Sequence, residues 1–384
     1  MTTTINNEQN KLNVPNLRFP EFQGEWKEER MADIADLYKG TGISKDQLSD
    51  DGEPCILYGE LYTKYKSETI REVVSKTNID NTKLVRSKAN DVIIPCSGET
   101  AEDIATARCV LNGNILLGGD LNIIRLHGYD GAFMSYQLNG KRKYDIAKVA
   151  QGVSVVHLYG EHLKGVKTIN PCLEEQKKIA GLLALLDERI TTQNKIIDKL
   201  QSLIKGIRHD IFKDIQGEVL ALSNIADIYQ PQTISSSDLT SEGYWVYGAN
   251  GIIGKYKEYN HETEQICITC RGNTCGTVNY TQPKVWITGN SMVINTDKYQ
   301  RQVNKRFLFH YLSSYNFKSI VSGSGQPQIV RTPLEKIKVV LPTIEKQVRI
   351  ANSIDIVSEK INTESSVLRL LENQKQYLLR QMFI

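Results

Sequence analysis

Two stretches of this chain carry the same pattern in one register. Residues 163–212 fall without a gap on residues 334–383 when slid by 171 positions. Pro171 meets Pro342, Glu174 meets Glu345, Gln176 meets Gln347 and Ile179-Ala180 meet Ile350-Ala351, while Glu188, Ile190, Leu200 and Phe212 also find identical partners. Each copy opens with a short apolar run stopped by proline, residues 166–171 and 337–342, the pattern of a strand ended by a residue that cannot donate to a ladder. A long proline-free segment follows from Glu174-Glu175, an acidic pair suited to a helix N-terminus.

Leu183, Leu186, Ile190, Ile197, Leu200, Ile204, Ile207 and Ile211 then recur three and four residues apart, the spacing that keeps one apolar seam turned to a partner helix. Ile354, Val357, Ile361, Leu368, Leu371, Leu378 and Met382 repeat the seam in phase. Both copies place a polar residue at one shared position, Gln193 and Glu364; a register-fixing residue and an exposed edge of the seam both account for it. Two seams in one chain predict two helices packed on each other, each roughly 50–60 Å long at 1.5 Å per residue. Two separate amphipathic helices on separate cores are the plainer alternative, which gap-free duplication disfavours.

Fainter echoes run through the segments before each helix. Asp33-Ile-Ala-Asp-Leu-Tyr38 returns as Asn224-Ile-Ala-Asp-Ile-Tyr229 at a shift of 191, and residues 92–98 return as 266–272 at 174. Relative to the first head, the second has thus lost 20 residues. Heads that read different things on stalks that present them identically account for this pattern. The partition is a disordered N-terminus at 1–15, a first head at 16–171, a first helix at 172–213, a second head at 214–342 and a second helix at 343–384. The fold class is α+β: two mixed α/β heads joined by two long antiparallel coiled-coil helices with pseudo-two-fold symmetry.

A chain of 384 residues can bury substantial cores in two or more domains. A net charge of +3 permits an anionic partner without demanding one, so local clusters such as Lys141-Arg142-Lys143 and Lys305-Arg306 matter more. No apolar run reaches membrane-spanning length and the first fourteen residues are polar, so a cytoplasmic protein is expected. Seven cysteines, an odd number, fit reduced thiols.

Catalytic signals are weak. An amino-group methyltransferase carries an Asn/Asp-Pro-Pro-aromatic loop, and this chain has no Pro-Pro. Gly248 to Lys255 imitates a phosphate loop, but five residues separate its glycines and Tyr256 stands where Ser or Thr would bind magnesium. Cys267-x-x-Cys270, with Cys275 and His261 nearby, has metal-like spacing, yet its first two cysteines sit in an apolar strand-like run where buried structural thiols are common. No catalytic or metal site is assigned.

The order head, Pro-x-x-Glu-x-Gln-x-x-Ile-Ala helix, head, Pro-x-x-Glu-x-Gln-x-x-Ile-Ala helix resembles the specificity subunit of type I restriction–modification enzymes. Pro171, Glu174, Gln176, Ile179 and Ala180 match the first helix motif, and Pro342, Glu345, Gln347, Ile350 and Ala351 the second. Residues 247–254, 323–329 and the opening Leu17-Arg18-Phe19-Pro20-Glu21-Phe22 also resemble phrases of that family. The resemblance covers nearly the whole chain; its one departure is Val155-Val156-His157 in the first head against Gln326-Pro327-Gln328 in the second.

The resemblance implies a non-catalytic DNA-recognition subunit. Each head would read half of a split site in double-stranded DNA, with the helices as a ruler and the half-sites about 34–36 Å apart. Two modification subunits carrying S-adenosylmethionine would bind it, and restriction motor subunits through them; the chain itself would bind no cofactor. Candidate DNA contacts are Ser97, Gly98, Glu99 and Thr100 in the first head, with Arg271, Gly272, Asn273, Thr274, Gly325, Gln326 and Gln328 in the second. Each such loop is equally well a structural turn, since glycine marks tight turns everywhere. Tyr58-Gly59-Glu60 and residues 247–251 are weaker candidates for the same surface. The rival expectation is a structural coiled-coil adaptor whose duplicated heads bind proteins.

Overall fold

The computed structural model describes residues 13–80, 82–152, 155–249, 251–323 and 325–384. The expected disordered N-terminus thus lies, for its first twelve residues, outside the described residues, as do Asn250 and Ser324 of the two family-like phrases. The chain divides into two compact units. One takes in the chain up to Asn194 together with Val367–Ile384, and the other is Lys195–Ser366.

The repeat is visible at the level of strands. The run before each proline forms one side of an antiparallel clasp: Lys167–Asn170 pairs with Lys27–Arg30, and Lys338–Leu341 pairs with Glu218–Ala221. After the clasp comes the first sheet of each head. In the first head its order is Ala35–Lys39, Leu121–Leu126, Asp91–Pro95, Arg108–Val110 and Thr69–Ile70; in the second it is Asp227–Tyr229, Ser291–Asn295, Ile266–Thr269 and Val278–Tyr280. The central strands, Asp91–Pro95 and Ile266–Thr269, are buried along their whole length, as a sheet covered on both faces requires.

A second sheet in each head is built on one parallel pair, Glu53–Ile56 with Leu116–Leu117 and Tyr244–Gly248 with Trp286–Ile287. Here the heads diverge. The first head's sheet has five strands; the second's has three, completed by Gly251–Tyr256. Most of the twenty missing residues fall between the echo at Tyr38/Tyr229 and the central strand, the stretch that supplies these extra strands.

The two long helices are Leu173–Lys213 and Ile344–Gln381. Their motif residues have a defined task. Gln176 donates to Pro171 O at 2.8 Å and accepts from Asp130 N at 2.9 Å; Asp130 in turn caps the helix Gly131–Asn139. Gln347 does the same, donating to Pro342 O at 2.9 Å and accepting from Asn304 N at 2.8 Å, where Asn304 caps Lys305–Ser314. One buried amide therefore fixes strand end, long helix and head helix together. Buried polar groups persist when fully bonded in this way, which is why glutamine recurs at both positions. Ala180 and Ala351, small enough for close approach, join the cores of their respective heads.

In the first unit the start of one long helix runs against the end of the other in the opposite sense. Ile179 and Leu183 share a core with Met382 and Phe383, and Asp187 meets Lys375. In the second unit the roles exchange, and Phe212 joins the same core as Ala351. Along the seam, Leu183, Leu186, Ile197 and Ile354 are buried, while Ile190, Leu200, Val357, Ile361, Leu368 and Leu371 are half-buried. Each buried aliphatic side chain contributes about 1.5–3 kcal/mol. Gln193 is buried and Glu364 pairs with Lys360 one turn earlier. Among the described residues, no helix is long and apolar enough to cross a membrane.

Candidate nucleic-acid interface

Each head delivers its central strand into a short segment that pairs with the stretch ahead of a short helix, Gly160–Lys164 in the first head and Arg331–Glu335 in the second. In the second head, Arg271 bridges to Gln328. Gly272, at φ +83, turns the chain so that its N–H reaches Pro327 O at 2.9 Å. Ile329 N returns the link by donating to Cys270 O at 3.0 Å. The closing stretch is itself folded back, with Ser322 and Gln328 exchanging two backbone bonds of 2.8 Å across Gly323 at φ +91. A third element joins them: Ala249 O accepts from the Thr269 hydroxyl at 2.6 Å and the Thr274 hydroxyl at 3.5 Å. The nominated residues of the second head are thus brought together, and Arg271, Asn273, Thr274, Gly325, Gln326 and Gln328 are all exposed.

The first head builds the equivalent junction differently. Ser97–Gly98, expected as a loop, is a two-residue strand paired with Val156–His157, because the backbone after Cys96 finds ladder partners there. Ser97 Oγ lies 3.4 Å from His157 Nδ1. Thr100, also expected in the loop, caps the turn Ala101–Ile104 by accepting from Asp103 N at 3.0 Å. Ser97 and Gly98 are half-buried; Glu99 and Thr100 are exposed. The departure noted between the closing stretches, Val155 to His157 against Gln326 to Gln328, therefore occupies one structural place, with Ser97 facing His157 as Arg271 faces Gln328. The surfaces differ in charge. Glu99, Glu102 and Asp103 are exposed in the first head where the second presents Arg271.

Other expectations are corrected. Lys305 and Arg306 are not a surface cluster: Lys305 binds Asp297 at 2.6 Å with its side chain 11% exposed, and Arg306 pairs with Asp355 and lies over Tyr280 and Phe309. Arg142 is likewise engaged, with Asp145 at 3.3 Å and Ile384 O at 3.0 Å. Glu60 of the Tyr58-Gly59-Glu60 candidate is buried, accepting from Leu57 N and Lys64 and from the Ser75 hydroxyl at the start of a short helix, Glu60–Thr63. Burial pushes the Cys267 thiol up to about 12, and His261 accepts from the Tyr229 hydroxyl at 2.9 Å with its own pKa pushed down by burial to about 4. Among the described residues, no three His, Cys, Asp or Glu side chains are grouped to hold a metal.

The hairpin Tyr244–Gly248 and Gly251–Tyr256 flanks this junction; sequence reasoning named its residues 247–251 as weaker candidates but not Trp245, Ile252, Ile253 or Lys255. Trp245, Ile252 and Ile253 are exposed there, and the Lys255 ammonium lies 4.8 Å over the Trp245 ring.

The family model of the type I restriction modification DNA specificity domain matches residues 23–202 and again 215–373. Among curated relatives, the MjaVIII specificity subunit of Methanocaldococcus jannaschii is 25% identical, covering 97% of this chain and 94% of its own length. The EcoprrI specificity subunit of Escherichia coli is 27% identical, but the match spans 41% of this chain and 40% of that protein. Among solved structures, the specificity subunit of a type I restriction–modification system from M. genitalium superposes with a TM-score of 0.69 at 18% identity, covering 97% of this chain and 99% of that one.

Proposed function

This chain belongs to the type I restriction–modification DNA specificity family, and from that membership we propose that it reads a two-part site in double-stranded DNA, one part per head. It is a specificity subunit, the recognition component rather than a catalytic one. One observation supports the division of labour: two heads of the same strand plan present different side chains at the same junction, Glu99 and His157 in one, Arg271 and Gln328 in the other. Arg is suited to guanine and Gln to adenine, and a carboxylate accepts from cytosine N4; each good bidentate pair discriminates by about 1–3 kcal/mol.

On this reading the long helices act as the ruler between half-sites. Two modification subunits bind the chain and bring S-adenosylmethionine, restriction motor subunits join through them, and the assembly works in the cytoplasm. Methyl transfer then happens on the partner at a base that this chain has placed.

The test is binding of the full chain, assembled with a modification subunit of the family, to duplex DNA across a salt series. Phosphate contacts release counterions, so affinity should fall linearly on a log–log plot, by about tenfold for every two contacts between 50 and 200 mM. Exchanging residues 218–333 for another family member's second head should then alter one half-site only. Salt-independent binding to proteins, without DNA preference, would favour the adaptor reading.

A further inference from the structure

The second head's hairpin carries two exposed apolar side chains at an irregular point of its register. Val246 faces Gly254 and Tyr247 faces Ile252, which leaves Ile253 as an extra residue in its strand. Bulges of this kind re-aim side chains. Ile252 and Ile253 are 47% and 46% exposed. Gly248 makes room for the arrangement: a Cβ added there would meet Ile253 Cγ2 at 2.9 Å. The strand that carries both isoleucines is the edge of its sheet. An apolar exposed edge beside an exposed tryptophan is a liability unless something covers it.

The hairpin tip, at Ala249, is tied to the junction that holds Arg271 through the Thr269 and Thr274 hydroxyls. Lys255 on the hairpin and Arg271 on the junction add positive charge to this surface. A two-stranded ribbon fits the DNA major groove, and the one apolar group on the base edges there is the thymine C5-methyl. Among the described residues of the first head, the chain enters the short helix Glu60–Thr63 at the corresponding point instead of such a hairpin.

We propose that this hairpin enters the major groove of the half-site read by the second head and that Ile252 and Ile253 recognise a thymine methyl there. The inference rests on the DNA-reading function of that head. It fixes one chemical property of the second half-site: it contains an A·T pair whose methyl group is felt.

The test uses the full chain assembled with a modification subunit of the family. Duplexes carrying its methylation motif are made with deoxyuridine in place of each thymine in turn, which deletes the methyl and leaves the hydrogen-bonding edge intact. One substitution in the second half-site should weaken binding about four-fold, the worth of one buried methyl-sized group. In the double variant Ile252→Ala with Ile253→Ala, thymine and deoxyuridine should bind equally there. First-half-site recognition and assembly with the modification subunit should be retained, showing that the variant has folded. Equal binding of thymine and deoxyuridine by the unaltered chain, or a second half-site without an A·T pair, overturns the proposal and leaves DNA reading intact. If the double variant loses the modification subunit instead, the hairpin is a protein contact and the proposal fails. If the assembly prefers no sequence at all, the DNA reading fails with it.

Discussion

Replacing Lys375 by methionine isolates the electrostatic part of the first head's attachment to its helices. The ammonium lies 2.6 Å from Glu68 Oε2 and 2.6 Å from Asp187 Oδ1, with the three side chains 13%, 10% and 8% exposed. Tyr136 donates its hydroxyl to Asp187 at 2.7 Å. At an effective dielectric of about 20, a pair of charges about 4 Å apart attracts by roughly 4 kcal/mol. Much of that is offset by the cost of desolvating the ions, so the intact cluster contributes little net stability. Methionine keeps the aliphatic stem and strands two buried carboxylates, at a cost of about 3–5 kcal/mol.

For a unit of this size, about 2–4 °C per kcal/mol translates this into a melting point lower by about 6–20 °C. Burial pushes the Glu68 carboxyl above its ordinary value of 4.5, Lys375 pulls it back, and Asp187 adds to the rise. Removing the cation raises it further. A carboxyl raised by folding contributes stability that is present below its unfolded value and lost as pH rises through the folded one. The deficit should therefore be smallest near pH 4.5 and grow toward neutrality. Adding Glu68→Gln and Asp187→Asn to Lys375→Met should recover most of the loss. Thermal unfolding followed by circular dichroism across pH reads all of this; a deficit under about 1 kcal/mol at pH 7 would show that the cluster is hydrated and the reasoning wrong.

His310 is held neutral, its Nε2–H donating to Asp355 at 2.8 Å while Nδ1 accepts from Arg208 at 3.0 Å, and burial pushes its pKa down to about 4. A depressed histidine contributes stability present above its ordinary 6.5 and lost as pH falls toward 4. Replacing His310 and the similarly shifted His261 by glutamine should flatten the second unit's acid loss in that window, and an unchanged acid-unfolding curve would refute the assignment. Arg271→Gln should relax discrimination at one position of the second half-site by about 1–3 kcal/mol in competition binding and leave the first untouched; loss at the first half-site would contradict independent heads. Inserting one heptad after Lys195 and another after Ser366 adds about 10 Å of helix while keeping the seam. The preferred gap should widen by about three base pairs, whereas an unchanged gap with unchanged half-sites would dispose of the ruler.

The parts of the fold that were legible from sequence are those with a period. The strand before each proline, the long helices and their seam follow from apolar spacing and a gap-free repeat, because a helix face is encoded within a few residues of itself. Partners distant in sequence were not legible. Lys375 meets Glu68 across 307 positions, and nothing local to either residue signals it. The basic clusters misled for the same reason: Lys305, Arg306 and Arg142 look solvated in a row of letters, and their carboxylate or carbonyl partners lie on other elements. The junction residues of the second head were nominated from glycine-containing loops, and Gly272 and Gly323 take positive φ there. Ile252 and Ile253 fall just beyond the nominated residues 247–251, at a bulge that breaks the alternation strand reading depends on.

The central claim is that this chain chooses the DNA site at which a partner acts. Single-molecule methylation sequencing of DNA exposed to the chain with a family modification subunit, beside a control without the chain, tests it most directly. The account predicts a split motif present only when the chain is added, with two half-sites at a fixed gap. A complex that forms and yet leaves no motif, or a motif that is the same without the chain, would contradict it.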